Sequence, residues 1–121
     1  MAANKEKTKE QKIRKKTREL QKIFANIDEN KQKIVMPLID RAAFIIVSLC
    51  DLEQEISANG WTEEYQNGAN QSGHKKSAAA DAHISLTKNL TAITKQLLEL
   101  VPPAEEKNAI TAFTERFNAV G

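Results

Sequence analysis

Few residues in this chain have the chemistry to make or break a bond. The adjacent carboxylates Glu63 and Glu64 could imitate a general acid–base pair. They lie in a polar stretch, however, where two solvated side chains are the plainer reading. His74 and His83 are nine residues apart, with no cysteine or acidic cluster at metal-binding spacing. His83 falls on an apolar line and reads as a hydrogen-bonded core or interface group. Cys50 is the single cysteine, and its helical neighbours Ile46, Val47, Glu53 and Gln54 would not stabilise a thiolate. It reads as a small buried residue. No glycine-rich G-x-x-x-x-G-K loop is present to cradle a nucleotide phosphate. The expectation is a protein without catalysis, metal or cofactor.

Charge is the stronger signal. Residues 1–22 hold nine basic against three acidic side chains, a net +6, which leaves the remaining 99 residues at −4. A basic segment on a mildly acidic body points to a polyanionic partner. Between Gln11 and Arg18 there is no acid at all. Lys9, Lys12, Arg14, Lys15, Lys16, Arg18 and Lys22 are therefore the candidate DNA-binding residues, neutralising phosphates without reading sequence. A merely solubilising tail is the competing interpretation. Lys75 and Lys76 could add phosphate contacts, or simply remain hydrated.

The elements that must carry these residues are helical. The chain has 121 residues, four glycines, three prolines and six aromatics, a size for one domain and a composition for aliphatic seams. Residues 1–30 form a basic arm or helix with a thin apolar line at Ile13, Leu20, Ile23 and Phe24. Its first dozen residues have almost nothing to bury and could order only on binding. Residues 31–102 form a long antiparallel helical hairpin. In its first helix, about Lys31 to Ala58, Leu38, Ala42, Ile45, Leu49, Leu52 and Ile56 follow a 4-3-4-3-4 spacing. Pro37 either occupies the first turn or kinks the helix, and Asn59-Gly60 stops it. In the second helix, about Ser77 to Val101, the line is Ala79, His83, Leu86, Leu90, Ile93, Leu97 and Leu100. Ser77 is a candidate N-cap and Pro102-Pro103 a stop.

One stretch has too much apolar surface for a two-helix hairpin. From Ala42 to Cys50 the first helix is apolar almost all round, so Ile39, Phe44, Ile46 and Val47 would stay wet. They are read as a subunit interface, with burial under a terminal helix as the alternative. Residues 103–121 make a short amphipathic helix whose stripe Ile110, Phe113 and Phe117 is a second candidate interface. The connection from Gly60 to Lys76 exceeds the usual helix–helix loop. It holds both large rings, Trp61 and Tyr65, which suggests an ordered tip. No apolar run approaches the roughly 20 residues that cross a bilayer, and the charged start from Lys5 is unlike a signal peptide. The expectation is a soluble intracellular protein that needs no membrane.

Three stretches together resemble the small-subunit family of phage terminases from tailed phages and prophages of Gram-positive bacteria. They are Asp51 to Ile56, the connection from Gly60 through Lys76 into Ser77 and Ala78, and Thr87 to Ile93. Within the connection, Tyr65, Gln66, Asn67 and Gly68 match the family's first loop element, and Gly73, Lys75, Lys76 and Ser77 its second, with His74 between. The resemblance covers roughly Ile34 to Pro102. It implies an all-α fold with a helical hairpin as assembly core and a ring-like homo-oligomer. It also implies binding of double-stranded viral DNA, and delivery of that DNA to a terminase large subunit with ATPase and nuclease activity in the host cell cytoplasm. Many members carry an N-terminal helix-turn-helix; the 33 residues before Ile34 are too few for a three-helix version, which leaves the basic arm as the evident DNA contact. A basic-arm coiled-coil transcription regulator acting as a dimer, and a purely structural scaffold, are the other classes this sequence fits.

Overall fold

The computed structural model describes residues 7–66, 68, 69 and 71–118, with the backbone alone for 103, 104, 106 and 116–118. The chain runs α1 (Lys9–Ile23), α2 (Glu29–Asn59), β1 (Thr62–Gln66), β2 (Ser72–Lys76), α3 (Ala78–Glu99) and α4 (Pro103–Asn118). The protein is mostly helical, and the tip of the α2–α3 hairpin is a two-stranded antiparallel sheet. The all-α expectation is corrected at that tip. TEEYQ and SGHKK carry no alternation of apolar and polar residues, so no period-2 signal marks them as strands.

Each helix begins and ends where local chemistry permits. Thr8 and Gln11 form a reciprocal capping box at the start of α1, of the kind that contributes about 1 kcal/mol. Asp28 caps α2 and Ser77 caps α3, each accepting from a first-turn backbone N–H. Gly60 closes α2 at φ 85°, in the left-handed region that costs a side-chain-bearing residue most. Pro37 sits inside α2, beyond its first turn, so of the two placements open to it the mid-helix one is found. Its missing N–H deprives the Lys33 carbonyl of the usual partner.

The two heptad lines meet as the spacing predicts. Ala42, Ile45, Leu49 and Ile56 of α2 are buried, as are Leu90 and Leu97 of α3, while Leu38, Leu86, Ile93 and Leu100 pack at the margin. α1 then packs on a second face of α2. Lys9 Nζ lies 3.7 Å from Asp51 Oδ2, and Gln21 Nε2 reaches Met36 Sδ at 3.9 Å, so α1 runs antiparallel to α2. Gln32 holds the turn between them, its Nε2 donating to the Phe24 carbonyl at 2.7 Å. α4 folds back against α1 and α3.

This packing corrects one expectation. Ile39, Ile46 and Val47 are 0%, 3% and 1% exposed within a single chain, so they are core residues and not a subunit interface. Burial under a terminal helix, the alternative, accounts for the extra apolar face. Of the arm and the helix left open for the first segment, the helix is found over Lys9–Ile23, and Leu20 and Phe24 of its apolar line are fully buried in the same cluster as Val35, Ile39 and Leu97. Burying such side chains is worth about 1.5–3 kcal/mol each, ample to fix a helix that is too charged to persist alone.

Candidate nucleic-acid interface

The buried line of α1 passes through Lys16 and Leu20 to Phe24, with Ile13 and Ile23 packed at its margin, which leaves an outer side. Arg14, Arg18 and Lys22 recur every fourth residue along that outer side and are exposed, with Lys15 exposed beside them and Lys12 half-buried. Lys16 is the exception and a correction: it is 2% exposed, with Nζ 3.0 Å from Glu19 Oε2 in an ion pair. A buried ammonium is held by its partner and is not offered to a phosphate.

Lys9 is tethered rather than loose. Besides its ion pair with Asp51, its Nζ lies 5.0 Å from the centroid of the Phe44 ring, a cation–π contact worth about 0.5–1 kcal/mol. Positive charge is crowded at this end of α1. A side-chain hydrogen bond from Lys15, and then the charge of Lys15, lower the pKa of the exposed Lys7 below the ordinary lysine value; Lys12 adds to the effect and Glu19 opposes it. An approaching polyanion would relieve that repulsion.

The connecting ribbon is the second part of the site. Thr62 pairs with Lys76, Glu63 with Lys75, Glu64 with His74, Tyr65 with Gly73 and Gln66 with Ser72. Lys75 Nζ is 3.7 Å from Glu63 Oε1 and Lys76 Nζ is 3.2 Å from Asp81 Oδ1, both exposed pairs. Such pairs contribute roughly 0–1 kcal/mol and exchange readily for phosphate. Tyr65 lies across Gly73, where an added Cβ would come within 3.2 Å of the ring. At the base, the Ser77 N–H donates to the Trp61 carbonyl at 2.9 Å. His83 Nε2 is 2.9 Å from Glu53 Oε2, and Trp61 meets the His83 ring edge-on at 5.7 Å. His83 is thus the hydrogen-bonded group its position suggested, tying α2, α3 and the ribbon base together. Asn67 of the loop motif lies outside the described residues.

The remaining apolar candidates divide. Phe44 and Ile110 are 50% and 43% exposed, whereas Phe113 is buried within the chain and the Phe117 side chain lies outside the described residues. Beside Phe44 runs an open groove of about 790 Å³ between α2 and α3, lined by Pro37, Asp40, Arg41, Phe44 and Ile93 among others. Ile34, 55% exposed, continues that side of α2 and lines a second hollow with Pro37, Leu38 and Leu100. Sequence reasoning missed this stripe, although Ile34, Pro37, Arg41 and Phe44 follow a 3-4-3 spacing of their own. It also missed Asp51 as the anchor of Lys9.

Among the described residues no group of three or more His, Cys, Asp or Glu could hold a metal ion. None of the described helices is long and apolar enough to cross a membrane. Comparison with protein-family models, with curated proteins and with solved structures gave no match.

Proposed function

We propose that this protein is a DNA-binding, self-assembling helical adaptor that serves as a phage terminase small subunit, presenting double-stranded viral DNA to a large ATPase–nuclease subunit in the host cytoplasm. The observation that carries the DNA reading is the outward charge of α1: Lys9, Arg14, Lys15, Arg18 and Lys22 are all exposed on a helix otherwise fixed in the core. A helix anchored in this way presents phosphate-binding groups without the ordering cost of a free arm. The resemblance of the Tyr65–Ser77 segment to the terminase family supports the more specific role.

Self-association runs through the stripe of Ile34, Pro37 and Phe44, with a second copy of the chain as occupant. The same side of α2 offers one carboxylate, Asp40, and one guanidinium, Arg41, beside the groove, which suits pairing with a like surface. Ile110 lies on α4 as a second exposed apolar residue.

Native mass spectrometry with a DNA-binding assay at low salt tests both parts. A closed assembly larger than a dimer that binds double-stranded DNA is expected. A monomer that binds no DNA contradicts the proposal, and a DNA-binding dimer favours the transcription-regulator class. Phe44→Glu, at a half-exposed site, should lower the assembly mass while circular dichroism keeps its helical signal; an unchanged mass would remove the groove from the interface.

A further inference from the structure

The β1–β2 ribbon has no structural reason to exist as it stands. Nine of its ten residues are exposed, and the tenth is Gly73 under the Tyr65 ring. Ordering the backbone costs about 1–2 kcal/mol per residue, and isolated two-stranded hairpins are marginal in water. A plain polar loop would join α2 to α3 without that cost. The ribbon therefore presents something, and its register says what.

Side chains alternate across a strand, so beyond the Thr62–Lys76 pair at the base, Glu64, Gln66, Ser72 and His74 continue the same face as two further cross-strand pairs. They line a shallow hollow of about 500 Å³ with Tyr65 and Gly73. All four end in hydrogen-bonding atoms and none is buried. The strands are about 17 Å long at roughly 3.4 Å per residue. A two-stranded ribbon of that kind fits a major groove about 12 Å wide, where glutamine pairs with adenine, serine with several bases and a carboxylate with cytosine.

Placement supports the same partner. α1 runs antiparallel to α2, with Lys9 beside Asp51, and α2 continues eight residues further, about 12 Å, to the ribbon base. The basic N-terminal half of α1 and the ribbon therefore occupy the same end of the bundle. Lys75 and Lys76 stand on β2 at its base, held only by exposed ion pairs.

We propose that the β1–β2 ribbon reads base edges in the major groove of double-stranded DNA through Gln66, Ser72 and His74, while α1 and Lys75–Lys76 hold the flanking phosphates. The proposal rests on the DNA-binding reading above and assigns it a source of sequence selectivity.

Selection from a random-sequence double-stranded DNA library with the full-length chain tests it. The wild type should enrich a motif and bind it at least about five- to a hundredfold more tightly than a scrambled duplex, the range expected for a single good base contact. Gln66→Ala/Ser72→Ala/His74→Ala, checked for an unaltered thermal midpoint, should bring that ratio close to one. Arg14→Gln/Arg18→Gln should lower affinity for both duplexes and keep the ratio. A wild type that binds DNA but enriches no motif, or a triple variant with an unchanged ratio, overturns the ribbon assignment and leaves DNA binding standing. Absence of any DNA binding by the wild type at low salt removes the DNA reading itself. A preference for single-stranded or RNA competitors over the duplex also refutes groove reading.

Discussion

The helical body and the ribbon at its tip are built on opposite terms. In the body, α2 packs against both α3 and α1, and Ile39, Ala42, Ile45, Ile46, Val47 and Leu49 are all buried. In the ribbon almost nothing is buried, and the strands are held by backbone pairing, the Tyr65–Gly73 contact and a base tied at Trp61 and His83. One region exists for stability and the other is carried by it. The proposed working surfaces, outward charge on α1 and polar side chains on the ribbon, are both fixed to that buried core.

That contrast can be broken or sharpened by substitution. Leu97, fully buried, lies in the last turn of α3 within the main core cluster; Leu97→Ala should cost about 2–5 kcal/mol, read as a lower urea midpoint at fixed protein concentration. Gly60 joins the two regions at φ 85° with open space around its Cβ position. Gly60→Ala should therefore cost about 1 kcal/mol from backbone strain alone, measured by the same denaturation. Ser48 is buried on α2, and its Oγ has no hydrogen-bond partner among the described residues. Ser48→Ala should be neutral or stabilising by up to about 1 kcal/mol, because it removes a desolvated hydroxyl from the core. The ribbon variant Gln66→Ala/Ser72→Ala/His74→Ala should change stability least, within about 0.5 kcal/mol, as expected for surface sites away from packing. A loss comparable to that of Leu97→Ala would erase the distinction between body and ribbon.

Much of the body was legible from spacing. The heptad lines from Leu38 to Ile56 and from Ala79 to Leu100 predict the antiparallel pair, and Ser77 and Gly60 predict its caps. The excess of apolar residues between Ala42 and Cys50 signalled a second buried face. What covers that face was not legible, since a periodic pattern specifies that a surface is buried and not by which neighbour. Lys16 shows the same limit from the other side: its charge suggested DNA, but its position on the Ile13–Leu20 line places it inward. The ribbon escaped because cross-strand pairs such as Glu63–Lys75 leave no periodic trace in a wholly polar segment. The Asn67-Gly68 pair is a turn signal in the sequence, but with polar residues on both sides it does not by itself predict strands. Of the candidate site, Lys9, Arg14, Lys15, Arg18 and Lys22 stand at the surface while Lys12 is half-buried, and the apolar interface set is reduced to Phe44 and Ile110 among the described side chains.

The central claim is that DNA is held by the exposed basic side of α1. The most direct test is the salt dependence of duplex affinity for the wild type and for Arg14→Gln/Lys15→Gln/Arg18→Gln/Lys22→Gln. The account predicts weaker binding and a log–log salt slope flattened by about 0.9 for each phosphate contact removed. Equal affinity and an equal slope in the two proteins would contradict it.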